Sequence, residues 1–226
     1  MKQFKNVLKS EELRVYIAIC LIATALITVN TVSSIDSLST SKAIRDAFFQ
    51  VTTIISTTGF STVDYSAIWP SFSKTVLVLL MVIGACAGST AGGLKISRVI
   101  IAVKNVFRSL KHTIRPKSVN VVRLDGEVQS TDTLHAVSNH IVIYTAVVAV
   151  TTLLISIDGA DLETNFTATL SCISNIGPGL GAVGPMGNFA DYSYFSKLLL
   201  SLVMLVGRLE FIPMMILFSP STWKKH

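Results

Sequence analysis

Charge is what this sequence of 226 residues has least of. Only 14% of its residues are Asp, Glu, Lys or Arg, against roughly 25% in soluble domains, and mean hydropathy is +0.61. That excludes an ordinary soluble domain and points to a chain solvated by lipid. Cysteine is scarce too. Cys20, Cys86 and Cys172 stand far apart in apolar or small-residue stretches, with neither metal-ligand spacing nor an even disulfide set. They read as buried free thiols acting as small hydrophobes. No acid–base, nucleophile or metal constellation converges, so an enzyme is not expected, nor a bound cofactor. A cleavable leader is not expected either. The start, MKQFKNVLKSEEL, is basic, but its acidic pair precedes the apolar run and no small-residue cleavage pattern follows, so the first span is expected to be retained.

What is present in abundance is hydrophobic length. The chain suits about four spans of roughly 20 residues each. The first covers residues 13–32, LRVYIAICLIATALITVNTV. A segment at 41–56, SKAIRDAFFQVTTIIS, is apolar but too short to cross comfortably, as a re-entrant helix would be. It ends in STTGF. A second span begins near Ser73, dissolves into GACAGSTAGG at 84–93, and resumes as LKISRVIIAVKNVFRSLKH. The stretch 113–133 is polar, and Asp125-Gly126 between β-prone residues predicts a small hairpin. A third span covers 139–157, a second short helix 161–174 ends in NIGPGLG, and a last span covers 197–218.

The basic residues are clustered. Of the 19 Lys and Arg, eight lie within 95–123, which is a topology signal first and a polyanion-binding patch second; no nucleic-acid partner is expected. Lys2, Lys5, Lys9 and Arg14 precede the first span, and Lys224 and Lys225 follow the last. The positive-inside rule puts all three groups, and both termini, in the cytoplasm. Both short helices then dip in from outside. The outer loop around the second carries Asp158, Asp161, Glu163 and Asp191 against Lys197. It reads either as an acidic mouth that concentrates cations or as soluble loop ends.

Span, short helix, glycine turn, span occurs twice. Setting Gly59 on Gly177 pairs Phe48 with Phe166, Ile55 with Ile173 and Ser56 with Ser174. Setting FSK at 72–74 on FSK at 195–197 pairs Leu79 with Leu202, Met81 with Met204 and Gly84 with Gly207. Internal repeats of this kind are usual in transporters. The expected architecture is an all-α membrane protein of two span–pore-loop–span repeats, at 1–112 and 134–226, joined by a cytoplasmic connection at 113–133. The second span of the first repeat is broken by a Gly-rich intramembrane loop.

Irregular backbone survives at membrane depth only where protein buries it or it lines water. A potassium filter uses that situation, aiming backbone carbonyls at the ion in place of its stripped water. Glycine permits the dihedrals that other residues resist. Thr57, Thr58, Gly59 and Phe60 form one candidate filter strand, and Asn175, Ile176, Gly177 and Pro178 the other, with potassium expected at Thr57, Thr58, Asn175 and Ile176. The alternative is a pair of interfacial helices that merely end at glycine.

In 84–93, Gly84, Gly88 and Gly92 have the GxxxG spacing of close helix packing. Ten small or polar residues in a row exceed a packing face, so an unwound loop of Gly84, Gly88, Ser89, Thr90, Gly92 and Gly93, able to obstruct the pore, is favoured. A phosphate-binding loop fails, because Leu94 stands where lysine is required. Arg208 lies near mid-span, where an arginine costs on the order of 3 kcal/mol and therefore faces water or an acidic partner. It reads as a pore charge opposing free cation flow, or as one half of a structural ion pair. Glu210 points to another helix face.

FFQVTTIISTTGF, GACAGSTAGGLKISR, NIGPGLG and GRLEFIPMMILFSPSTW, in that order, resemble the second half of the TrkH/TrkG potassium uptake proteins, and the likeness covers essentially the whole chain. It implies potassium uptake across a bacterial inner membrane, channel-like or coupled to an ion gradient, with potassium as substrate. It implies that STTGF and NIGPG are the third and fourth filter segments, that 84–93 is the gating loop, and that Arg208 is the pore arginine. It also implies partners: an N-terminal half with the other two repeats, a cytosolic TrkA-type nucleotide-binding regulatory subunit docking on the basic 95–123 region, and a dimer of complete four-repeat units. A non-conducting scaffold packing through its glycines, or an inactive fragment, is the competing reading.

Overall fold

The computed structural model describes residues 10–35, 38–115 and 120–209. The first span is α1 (Glu11–Ser34), with no acidic or basic residue after Arg14. The short helix α2 (Thr40–Ile55) starts at Ser39, whose hydroxyl accepts the Lys42 N–H at 3.4 Å, as N-cap serines do. A single helical turn, Tyr65–Ile68, leads into α3 (Ser71–Ile83). Helix then stops at Gly84, with φ 68 and ψ −167, and resumes only as α4 (Ile96–Ile114). The interruption is closed at its neck, since Leu94 donates to Val82 and Ile96 to Ala85, both at 3.1 Å.

The expected hairpin is present. β1 (Arg123–Leu124) pairs antiparallel with β2 (Glu127–Val128), and Asp125 and Gly126 both have positive φ, as a two-residue hairpin turn demands. The next helix, α5 (Thr131–Ile155), begins earlier than residue 139. Hydropathy starts the span only at 139, but Ser130 caps the helix by accepting the Thr133 N–H at 3.1 Å, and Leu134 and Val137 are buried with Ile101 and Val122. The second short helix is α6 (Leu162–Ser174), capped by Asp161. The last helix is described as α7 (Tyr194–Leu209). The expected continuation of this span to residue 218, Glu210, and Lys2, Lys5, Lys9, Lys224 and Lys225 lie outside the described residues.

The core divides as the chain order does. Ile27 of α1, Val51 and Ile54 of α2, and Leu77 and Met81 of α3 form one buried cluster. Tyr144 and Ile155 of α5, Leu170 and Ile173 of α6, and Leu200 and Val203 of α7 form a second. Ile176 and Leu180, from the turn after α6, insert into the first. Lipid tails are as apolar as leucine, so such helices associate by close packing and hydrogen bonds rather than by hydrophobic expulsion. Leu21, Ile22, Val29 and Leu153 are exposed. Among the described residues two helical segments, Glu11–Ser34 and Thr131–Asp158, are long and apolar enough to cross a membrane. The thiols split: Cys20 and Cys172 are buried as expected, whereas Cys86, in the interruption where backbone leaves the core, is half-buried.

Candidate functional site

The two short helices end in turns with the same backbone wiring. After α2, Thr57 donates to the Ile54 carbonyl at 3.0 Å and Thr58 to that of Thr53 at 2.9 Å. After α6, Asn175 donates to Cys172 at 3.1 Å and Ile176 to Ser171 at 2.9 Å. These are the positions that coincide when Gly59 is set on Gly177. The hand of the backbone matches as well. Thr57 and Gly59 have φ of 55 and 81, Asn175 and Gly177 have 55 and 113, and the residues between them are not positive. An asparagine takes such a φ readily, whereas a β-branched threonine does so only under strain.

The turns meet. A Cβ placed on Gly59 would overlap the Ile176 carbonyl oxygen and stand 3.2 Å from Pro178 Cδ. Gly177 has open space on that side. Thr58 is exposed, Thr57 half-buried, and Phe60 is 72% exposed. Of the expected strand residues, Gly59, Ile176 and Pro178 are thus brought together.

The second turn is the more firmly held. Ser174 donates to the Met81 carbonyl of α3 at 2.8 Å and shares a 3.2 Å hydrogen bond with the Tyr144 hydroxyl of α5. Asn175 Nδ2 donates to the Met204 carbonyl of α7 at 3.1 Å, and Gly177 N–H donates to the Ser171 hydroxyl at 3.0 Å. On its outer flank Gly181 donates to the Ser66 hydroxyl at 2.8 Å. In the first half, fully buried Gln50 donates to Ser61 at 2.9 Å, just beyond Phe60. Tyr144, Ser66 and Gln50 are not singled out by the sequence, and Ser174 only as the repeat partner of Ser56. The one signal they give is polarity inside an apolar helix, which many buried serines share.

The Gly-rich stretch lies against the second turn, since a Cβ on Gly92 would overlap the Ser174 carbonyl oxygen. It is irregular from Gly84 to Lys95, with positive φ at Gly84, Gly88, Gly93 and Lys95. Lys95 Nζ reaches the Ser89 carbonyl at 3.3 Å. Arg208 of α7 donates through Nη1 to the Thr90 carbonyl. Its described partner is therefore the loop backbone, not the acidic side chain that one reading anticipated. Thr90, Lys95, Arg98, His140, Tyr144 and Arg208 border a cavity of about 200 Å³ at this place. Three of these residues, Lys95, Arg98 and Arg208, are cationic.

Two of the acidic residues around α6 are built into the fold. Asp158 accepts the Ser193 N–H at 2.9 Å, and that backbone hydrogen bond holds its carboxyl below the usual range. Asp161 accepts the Thr164 hydroxyl at 2.5 Å, which lowers its pKa in the same way. Among the described residues no three His, Cys, Asp or Glu gather to hold a metal.

Comparison with known proteins gives a consistent picture. The chain matches the TrkH family, described as a cation transport protein, over residues 12–225. It is 37% identical over 182 residues to the Trk system potassium uptake protein TrkH of Salmonella typhimurium, covering 80% of this chain and 37% of that protein. Against the Trk system potassium uptake protein TrkG of Escherichia coli the identity is 28% over 223 residues, 99% of this chain and 45% of that one. The crystal structure of the potassium transporter TrkH from Vibrio parahaemolyticus superposes with a TM-score of 0.85 at 31% identity, covering 96% of this chain and 46% of that chain. The chain thus spans less than half the length of these relatives.

Proposed function

The chain belongs to the TrkH family of cation transport proteins, and from that premise we propose that it forms half of a potassium-conducting pore in a bacterial inner membrane. The observation that carries this reading is the pair of wired turns. Residues of positive φ alternate with residues of negative φ at Thr57–Phe60 and again at Asn175–Pro178. Such alternation turns successive carbonyls toward one side of the strand, where an extended strand would splay them to both. A row of carbonyls on one side can replace the hydration shell of a cation. The helices α2 and α6 would direct their partly negative C-terminal ends at the same region.

The matched hydrogen bonds support reading the halves as two span–pore-loop–span repeats. In this reading Thr57, Thr58, Gly59 and Phe60 line one strand, and Asn175, Ile176, Gly177 and Pro178 the next. The loop containing Gly84, Gly88, Ser89, Thr90, Gly92 and Gly93 is the intramembrane gate. Arg208, which holds that loop through Thr90, places a positive charge in the ion path and keeps conduction controlled. The remaining strands come from an N-terminal half with two further repeats. The basic 95–123 region faces the cytoplasm and docks a TrkA-type nucleotide-binding regulatory subunit, and complete units pair as dimers.

Potassium flux into vesicles tests this. Reconstituted with an N-terminal half, the wild-type chain is expected to conduct, and Gly59→Asp or Gly177→Asp to abolish flux, with assembly persisting in Gly177→Asp, whose Cβ meets open space. Unchanged flux in both variants would remove the filter assignment. Assembly without conduction by the wild type would favour a packing scaffold.

A further inference from the structure

The base of α1 reaches into the interruption between α3 and α4. Glu12 Oε1 accepts the N–H of Ala87 at 2.6 Å and that of Ser97 at 3.2 Å. Ala87 belongs to the Gly-rich loop, and Ser97 to the first turn of α4. That helix has Lys95 as its N-cap residue, which supplies no side-chain cap. A helix start needs an oxygen acceptor and favours negative charge, and here both come from a residue 85 positions earlier in the chain. Glu12 is itself anchored. Asp125 of the hairpin accepts the neighbouring Glu11 N–H at 2.5 Å, and Glu11 pairs with Lys104 of α4, also at 2.5 Å.

We infer that Glu12 is a positioning residue for the loop: its carboxylate clasps Ala87 to the head of α4, opposite the grip that Arg208 has on Thr90. The inference rests on the reading of this loop as the gate. Two tethers of different origin then define the loop's position, one from the first span and one from the last. Shifting α1 or the hairpin moves one tether without the other. Because the hairpin's Asp125 holds the start of α1, a movement of the cytoplasmic connection is transmitted to the loop through Glu12.

The test uses the full chain reconstituted with its N-terminal half, and Cys86 as reporter. Cys86 adjoins Ala87 and is half-buried, while Cys20 and Cys172 are buried. The modification rate of Cys86 by a neutral maleimide therefore reads release of the loop independently of conduction. Glu12→Gln keeps a carbonyl acceptor and removes the charge, whereas Glu12→Ala removes both. Glu12→Asp keeps the charge but shortens the reach, and gives a well-folded second variant if Ala disturbs assembly. Expected are Cys86 rates about fivefold higher in Ala than in Gln, the change that follows loss of one uncharged hydrogen bond, a smaller rise in Asp, and altered flux in Ala. Cys86 rates equal in all variants would overturn the inference. Faster labelling with unchanged flux would leave Glu12 as the clasp but overturn the reading of the loop as a gate.

Discussion

Replacing Gly59 by alanine asks the structure for two separate penalties, and replacing Gly177 asks for one. At Gly59 the backbone has φ 81, where an L-residue costs roughly 1–2 kcal/mol. The new Cβ also overlaps the Ile176 carbonyl oxygen and stands 3.1 Å from its carbon. That neighbour is backbone of the opposing turn, held by the Ile176–Ser171 hydrogen bond at 2.9 Å, so it cannot rotate away as a side chain would. Overpacking of this kind costs about 1–3 kcal/mol. At Gly177 the φ of 113 is harsher, but nothing lies within 4 Å of the new Cβ. Strain alone there is worth about 1–3 kcal/mol.

Gly59→Ala is therefore expected to destabilise the reconstituted chain by about 2–5 kcal/mol and Gly177→Ala by less, the steric contribution making the difference. Unfolding of both variants in mixed micelles, titrated with denaturing detergent, measures it. Flux separates the variants again. Gly177→Ala is expected to assemble yet conduct at most a tenth as fast, because the cost falls on the carbonyl row itself. Equal destabilisation by the two substitutions would refute the contact between the turns. Undiminished flux in Gly177→Ala would refute the need for its backbone hand.

Arg208→Ala removes the grip on the Thr90 carbonyl and the charge with it; vesicle flux is expected to rise and to become less selective for potassium. Loss of membrane assembly instead would mark Arg208 as structural. Asp161→Ala deletes the cap of α6 and the acceptor of the Thr164 hydroxyl, with an expected loss of about 1 kcal/mol in thermal unfolding. The carboxyls of Asp158 and Asp161 are held below their ordinary values. Their contribution is present above the unfolded-state value of about 3.9 and fades as pH falls through the lowered ones. The contribution of these two residues to the melting temperature is accordingly expected to be constant between pH 7 and 5, and the difference from the Asp161→Ala variant to be least in strong acid.

Hydropathy and punctuation made the helices readable. GACAGSTAGG announced an interruption because no packing face needs ten small or polar residues together, and Asp125-Gly126 announced a hairpin because both residues accept positive φ. Asn175 carries a similar mark, but Thr57 does not. Their backbone hand is set by hydrogen bonds back into α2 and α6, which no local preference of threonine records. The start of α5 was misplaced because Leu134 and Val137 are buried by Ile101 and Val122, contacts that hydropathy along the chain does not contain. Glu12 escaped for the same reason. In sequence it belongs to an acidic pair before a span, and its partners lie 75 and 85 residues away.

The same contacts bear on how much of a pore this chain can make. A cation stripped of water needs oxygens on all sides. The two turns touch one another at Gly59 and Ile176, so they are neighbours on one arc, not opposite walls. They are also unequally supported: Ser174 and Asn175 fasten the second turn to α3, α5 and α7, whereas the first leans on the second and on Gln50. Phe60 and Arg208 remain exposed on this assembly, and an exposed arginine at that depth is costly unless water or protein meets it. In the pore proposed above, two turns on one arc, an uncovered Phe60 and an uncovered Arg208 would all be satisfied by one arrangement, in which a second pair of turns closes the ring and encloses a wet path past the arginine.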